Sequence, residues 1–185
     1  MPLRVYCRFK EKNMKTHEYF MRRCYDLAVS AGKKGYDTFG ALLVNDGNVV
    51  AEAENTADYQ KGLFGHAEFN LVHMLANRFF DQMLSESTLY TSCAPCNRCM
   101  MAIASLGIKR VVYGVGYQQF ARLLPFVPHT PDYENLLAQM DVEMHLEGPV
   151  LEEDGMHVFE WWGGEHRPLE ELLKESEDMR KANEH

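Results

Sequence analysis

Two short segments constrain this chain more than any others: His66-Ala67-Glu68 and Pro95-Cys96-Asn97-Arg98-Cys99. Together they offer one imidazole, two thiolates and one carboxylate. An imidazole and two thiolates suit Zn²⁺, which takes nitrogen and sulfur ligands in a tetrahedron. Three protein ligands leave a fourth position open, as catalytic zinc requires and structural zinc does not. Glu68, two residues past His66, is close enough to handle protons beside that open position. The closed alternative would recruit Cys93 or His73 as a fourth ligand. Glu68 argues against it, because a structural site has no use for a carboxylate there, and Cys93 reads as a packed thiol. The other histidines, outside any such grouping, read as ordinary polar residues.

For these segments to meet, the fold must bring two helix beginnings to one point. His66 opens a predicted helix carried by Leu71, Leu75 and Phe79, and a second runs from about Cys96 to Leu106. Their positive ends would stabilise thiolates and developing negative charge. Upstream, Thr16 to Ala31 reads as a helix with Thr16 as its cap, Glu18 in its first turn and Gly32 as its stop. Phe39–Val44 and Val49–Ala53 read as strands joined through Asn45-Asp46-Gly47-Asn48, a hairpin signal that makes them antiparallel. Thr88–Thr91, Lys109–Val115 and Val142–Leu146 are the remaining strands. Helices are expected at Gln118–Leu124 and Asp132–Gln139, interrupted by Pro125, Pro128 and Pro131. A helix between the fourth and fifth strands permits a parallel crossover. The expected architecture is therefore a three-layer α/β/α fold around a mixed five-stranded sheet. Residues 1–185 are expected to form one domain with a core at about 16–146. Residues 3–9 alternate at period two and suit either an edge strand or an arm.

The H-A-E and P-C-x-x-C segments, with matching strands on both sides, resemble the zinc-dependent cytidine-deaminase-like superfamily from about Phe39 to Tyr117. Phe39-Gly40-Ala41-Leu42-Leu43-Val44, the turn at Asn45-Asp46-Gly47, Ala51-Glu52-Ala53-Glu54-Asn55 and Leu89-Tyr90-Thr91-Ser92-Cys93-Ala94-Pro95-Cys96 are similar to its guanine, cytosine and tRNA adenosine deaminase branch. The resemblance implies zinc held by His66, Cys96 and Cys99. It implies hydrolytic deamination with Glu68 carrying protons from the attacking water to a ring nitrogen and then to the departing amine. It places Asn55 at the substrate, although local sequence alone would make Asn55 a turn residue. It also assigns the Ala67 N–H to the substrate's exocyclic group. Phe39, Phe64 and Tyr117 could line the pocket. Two positions depart from the branch: Ala94 stands where Glu is common, and Thr38 where Pro is common. Both lie near the expected pocket wall and weaken any transfer of substrate identity.

The tail differs in character. Met156-His157-Val158-Phe159-Glu160-Trp161-Trp162 holds both tryptophans. Phe159, Trp161 and Trp162 could close over the pocket, or instead make a dimer contact or core packing. Leu169, Leu172, Leu173 and Met179 fit one stripe of a last helix with an acidic opposite face. Formal net charge is −8 and the Lys and Arg residues are scattered. That argues against a nucleic-acid partner, which calls for a basic face. The expected partner is a small nucleobase or nucleoside, of guanine or cytosine type, with tRNA adenosine as the alternative substrate. A zinc protein that kept the fold for interaction alone is the remaining possibility, and Glu68 argues against it. No apolar run approaches the roughly 20 residues of a membrane span, and no signal-peptide pattern opens the chain, so the cytoplasm is expected. Five cysteines, an odd number with two at metal spacing, do not suggest a disulfide framework. The resemblance implies a homodimer.

Overall fold

The computed structural model describes residues 16–57, 64–76, 81–126 and 129–183. The expected edge strand at residues 3–9, and Phe79, lie outside them. Helix α1 (His17–Lys33) begins where its cap predicts: the Thr16 hydroxyl accepts from the Tyr19 N–H. It buries Phe20, Met21, Cys24, Tyr25, Leu27, Ala28 and Ala31 along one face, as their helical spacing requires. Gly32 does not stop it. Gly32 lies inside the helix at a point where a Cβ would strike the backbone of Trp161. The left-handed exit falls to Gly35, at φ 91°, a conformation that costs glycine little.

Strands β1 (Gly40–Asn45) and β2 (Asn48–Glu54) turn through Asp46 and Gly47, both at positive φ. That is the two-residue primed turn whose twist matches paired strands. With β3 (Thr88–Cys93), β4 (Arg110–Val115) and β5 (His145–Glu147) they form one sheet in the order β2-β1-β3-β4-β5. The β1 strand runs antiparallel to β2 and β3, and the β3–β4 and β4–β5 pairs are parallel. The mixed five-stranded sheet follows the expectation. Its last strand is later and shorter than expected: the Val142 N–H bonds back to Leu137 and Asp141 is left-handed, so residues 141–142 close the preceding helix instead.

Alternation along the strands divides the core. Leu42, Val44, Tyr90 and Val112 face α1, whereas Ala41, Leu43, Leu89 and Val111 face the opposite layer. That layer contains α2 (Ala67–Leu75), α3 (Asp81–Glu86) and α4 (Asn97–Ser105). The α2 helix ends at Leu75, before the predicted stripe is complete, and α3 was not anticipated. The α5 (Tyr117–Ala121) and α6 (Tyr133–Gln139) helices follow β4, and Leu137 of α6 packs on Met100 and Ala104 of α4.

The tail completes the α1 layer. It comprises α7 (Glu152–Met156), a 3₁₀ turn at His157–Glu160, a hairpin of β6 (Trp161–Trp162) with β7 (Glu165–His166), and α8 (Leu169–Asn183). Met156, Val158 and Phe159 join the core beside Phe20 and Tyr25, with Phe159 only 1% exposed. Of the alternatives for the aromatic tail, core packing holds for Phe159. The α8 helix is fixed to the α5 exit by Ser176 and Arg180, which both donate to the Leu124 carbonyl. Among the described residues, no helix is long and apolar enough to cross a membrane.

Tyr25 ties the tail to α1: its hydroxyl is shared between the carbonyls of Val150 (2.8 Å) and Leu151 (3.0 Å). Gly114 leaves room for that ring end, since a Cβ there would collide with the Tyr25 hydroxyl. Tyr25→Phe takes this donor from the Val150 carbonyl, whereas the Leu151 carbonyl keeps the Gly155 N–H at 2.9 Å, and should cost about 1–3 kcal/mol, read as a lower urea midpoint at unchanged slope.

Candidate active site and metal centre

His66 is the N-cap of α2 and Cys96 the N-cap of α4; both have extended backbone and neither side chain caps its own helix. Cys99 lies in the first turn of α4. The two imidazole and thiol caps are therefore free to turn toward a common point. His66 Nδ1 lies 3.6 Å from Cys96 Sγ and 3.5 Å from Cys99 Sγ, and the two sulfurs are 3.7 Å apart. Tetrahedral zinc with bonds of about 2.3 Å to sulfur and about 2.0–2.1 Å to nitrogen requires edges of about 3.8 and 3.6 Å. The triangle fits the ion, and these three residues could hold it. Cys93 and His73 do not join the cluster among the described residues, which disfavours a closed four-ligand site.

Protonation agrees with that chemistry. A hydrogen bond from the Cys99 thiol, and then one from His66, pull Cys96 down to about 3. Cys99 is held far above its ordinary value by the same hydrogen bond, with burial adding to it. The opposite directions describe one pair sharing one proton, with the negative charge on Cys96. His66 is raised, chiefly by its hydrogen bond to Cys96. A divalent cation displaces these protons, since metal-bound cysteine is thiolate and metal-bound histidine is neutral.

The loops that present these ligands are fixed from several sides. The Asn70 amide donates to the carbonyls of Glu54 (2.8 Å) and Gly65 (3.1 Å), tying the end of β2 to the turn before His66. On the other loop, the Ala94 N–H donates to the Val115 carbonyl at 2.8 Å. Tyr133 of α6 reaches across and donates to the carbonyl of Pro95.

Glu68 sits in the first turn of α2, 6% exposed, on the wall of a narrow cleft. Its Oε1 accepts from the Thr91 hydroxyl at 2.9 Å. Burial is the first cause lifting its carboxyl above the usual range. The cleft is shared by His66, Cys96, Phe39, Ala94, Tyr117 and Phe120. Phe39 meets Phe120 edge to face at 5.4 Å between ring centroids, the geometry aromatic quadrupoles favour. Behind Phe120 lies a second cavity of about 210 Å³, walled also by Phe159, Trp162, Leu172 and Met179.

The residues expected at the substrate are thus placed differently from one another. Phe39 and Tyr117 line the cleft. Ala67 is fully buried and, as the first residue of α2, has no intrahelical acceptor for its N–H. Asn55 is also fully buried but does not line the cleft. Its amide donates to the Asp37 carbonyl at 3.0 Å and accepts from the Ala57 N–H at 3.2 Å, the bonding of a turn residue. Trp162 does not line the cleft; its ring meets Phe39 edge to face, 5.9 Å away. Trp161 faces elsewhere, edge to face with His166 and under the Lys33 ammonium. Phe64, 63% exposed, pairs with Phe69 outside the cleft. Two residues of the site were not anticipated: Phe120 on the cleft wall and Thr91 buried behind Glu68. Phe120 follows Tyr117 by three positions on one helix face, a signal available in the sequence. Thr91 was indistinguishable from any other inward strand residue.

The chain belongs to the cytidine and deoxycytidylate deaminase zinc-binding family, whose sequence model matches residues 14–115. Guanine deaminase from Bacillus subtilis is 34% identical over 108 residues, covering 57% of this chain and 68% of that one. A tRNA-specific adenosine deaminase from Agrobacterium fabrum is 29% identical over 138 residues, covering 69% and 90%. A probable cytosine deaminase from Schizosaccharomyces pombe is 26% identical over 152 residues, covering 78% and 92%. Among solved structures, a guanine deaminase from Nitrosomonas europaea superposes with a TM-score of 0.65 over 86% of this chain and 85% of that one. At 15% identity that likeness speaks for the fold alone. The chain is accordingly a zinc-binding deaminase, a hydrolase of C–N bonds.

Elemental analysis of purified protein should find about one zinc per chain, the number that one three-donor centre holds. His66→Ala and Cys99→Ser should each lose most of it. Because the metal needs deprotonated donors, zinc should be released as pH falls and retained as pH rises.

Proposed function

We propose that this deaminase acts on a small amino-substituted nucleobase or nucleoside, of guanine or cytosine type, and releases ammonia with the oxo product. The observation that carries the reading is Glu68: a carboxylate buried at the wall of an aromatic cleft, in the same helix turn as one of three zinc-compatible donors. When bound, zinc lowers the pKa of a water from 15.7 toward about 7. Glu68 takes the proton from the attacking water, delivers it to the ring nitrogen beside the carbon under attack, and then protonates the amine as it leaves. A carboxyl raised by burial is suited to both halves of that task, since an acid–base group works best with a pKa near the operating pH. Phe39, Tyr117 and Phe120 flank a planar ring and exclude water from it. The Ala67 N–H, unused within its helix, is a donor for the substrate's exocyclic group. Trp162 on Phe39 supports a closing role for the hairpin. Removing the tail before Met156 would also strip Phe159 from the core, so Trp162→Ala is the cleaner probe of closure.

The tRNA-acting relatives favour a second reading, deamination of adenosine in a tRNA anticodon. A net charge of −8 weighs against it, because a flipped base needs a phosphate-binding surface beside its pocket.

The test is ammonia release from guanine, cytosine, adenine, their nucleosides, and triazine and pterin analogues. At least one should be turned over. Glu68→Gln should lose about 10²–10⁴-fold of that activity with zinc retained. Silence toward every compound, or an unaffected Glu68→Gln, overturns the reading. Salt-sensitive deamination of an anticodon stem selects the second one.

A further inference from the structure

We propose that Thr91 is a positioning residue for the proposed reaction, fixing Glu68 so that one of its oxygens serves as the proton carrier. The inference rests on Glu68 as that carrier.

Thr91 lies on β3, the middle strand of the sheet. It is paired with Ala41 on one side and Tyr113 on the other. Its side chain is fully buried, and β-branching leaves little freedom about χ1. The hydroxyl is therefore carried by a buried strand paired on both sides. It lies 2.9 Å from Glu68 Oε1. The carboxylate it meets is on a different element, in the first turn of α2, where its own backbone N–H is a local partner; Thr91 adds a hold that comes from the sheet. The carboxylate is thus held by the sheet through Oε1 while the Glu68 side chain lines the cleft. A proton carrier has to be held within about 0.5 Å of its working position, and a donor on a central strand does that better than one on a loop.

Thr91 has a second acceptor, the Cys93 carbonyl at 3.1 Å. A hydroxyl has one proton and two acceptor lone pairs. That one proton is divided between the Glu68 carboxylate and the Cys93 carbonyl. The competing explanation is that the hydroxyl serves only the strand through Cys93. The two explanations differ in what they predict for the shape-conserving variant.

Thr91→Val removes the hydroxyl at nearly constant volume, and Thr91→Ser retains it. For Thr91→Val, kcat should fall by about 10²-fold, the effect of misplacing a reacting group by about 1 Å. KM and zinc content should be nearly unchanged, and Thr91→Ser should recover most of the rate. A second readout needs no substrate. In isotope-edited infrared spectra, the Glu68 carboxyl band, identified by its disappearance in Glu68→Gln, should shift in Thr91→Val and return in Thr91→Ser. An unmoved band, or a Thr91→Val enzyme with kcat within about twofold of wild type and only a lower melting temperature, overturns the proposal. If wild-type protein releases no ammonia from any compound, the reaction assigned above fails, and with it the role of Thr91 in it; the infrared band then decides the contact alone.

Discussion

The structure depends on the meeting of two helix N-termini at one triangle of donors. Neither His66 nor Cys96 could be placed there by its own helix. Each is held by the strand end behind it: β2 through Asn70 and Gly65, and β3 through the Ala94–Val115 bond and the Tyr133 brace. The parallel β3–β4 pair is the structural reason. Parallel strands need a crossover helix, here α4, and a crossover helix must start beside the end of the strand it leaves. Cys96 and Cys99 are at the sheet's C-terminal edge for that reason.

The second organising feature is the aromatic wall. Phe39 leads into β1, Phe120 lies on α5, and Phe159 comes from the 3₁₀ turn, yet each ring lies within 6 Å of the other two. Phe39 and Phe120 face the cleft, whereas Phe159 faces the core. The tail therefore supports the site from behind as well as edging it through Trp162.

Much of this was legible in sequence because the strongest signals are local. Helix caps, Asp-Gly turns and alternation along strands depend on neighbours a few residues away, and Thr16, Asp46-Gly47 and Leu42–Val44 behave accordingly. The metal donors were legible because their chemistry allows few alternatives. Other features are decided by backbone bonding and packing that residue spacing does not encode. Gly32 reads as a stop and is a packing residue because Trp161 lies against it. Val142 and Met144 look like strand residues, yet Val142 closes α6. Asn55, expected at the substrate, hydrogen-bonds the Asp37 carbonyl and the Ala57 N–H. The division of labour between Phe159, Trp161 and Trp162 depends on where each ring falls around the 3₁₀ turn, which spacing does not encode.

Phe120 has the cleft on one side and the cavity under α8 on the other, so a single ring separates them. Leu172 and Met179 of α8 line that cavity too, and neither lines the cleft. A bulkier side chain at either would fill space behind the partition and not in the cleft, so the C-terminal helix can be repacked while the donor triangle stays untouched.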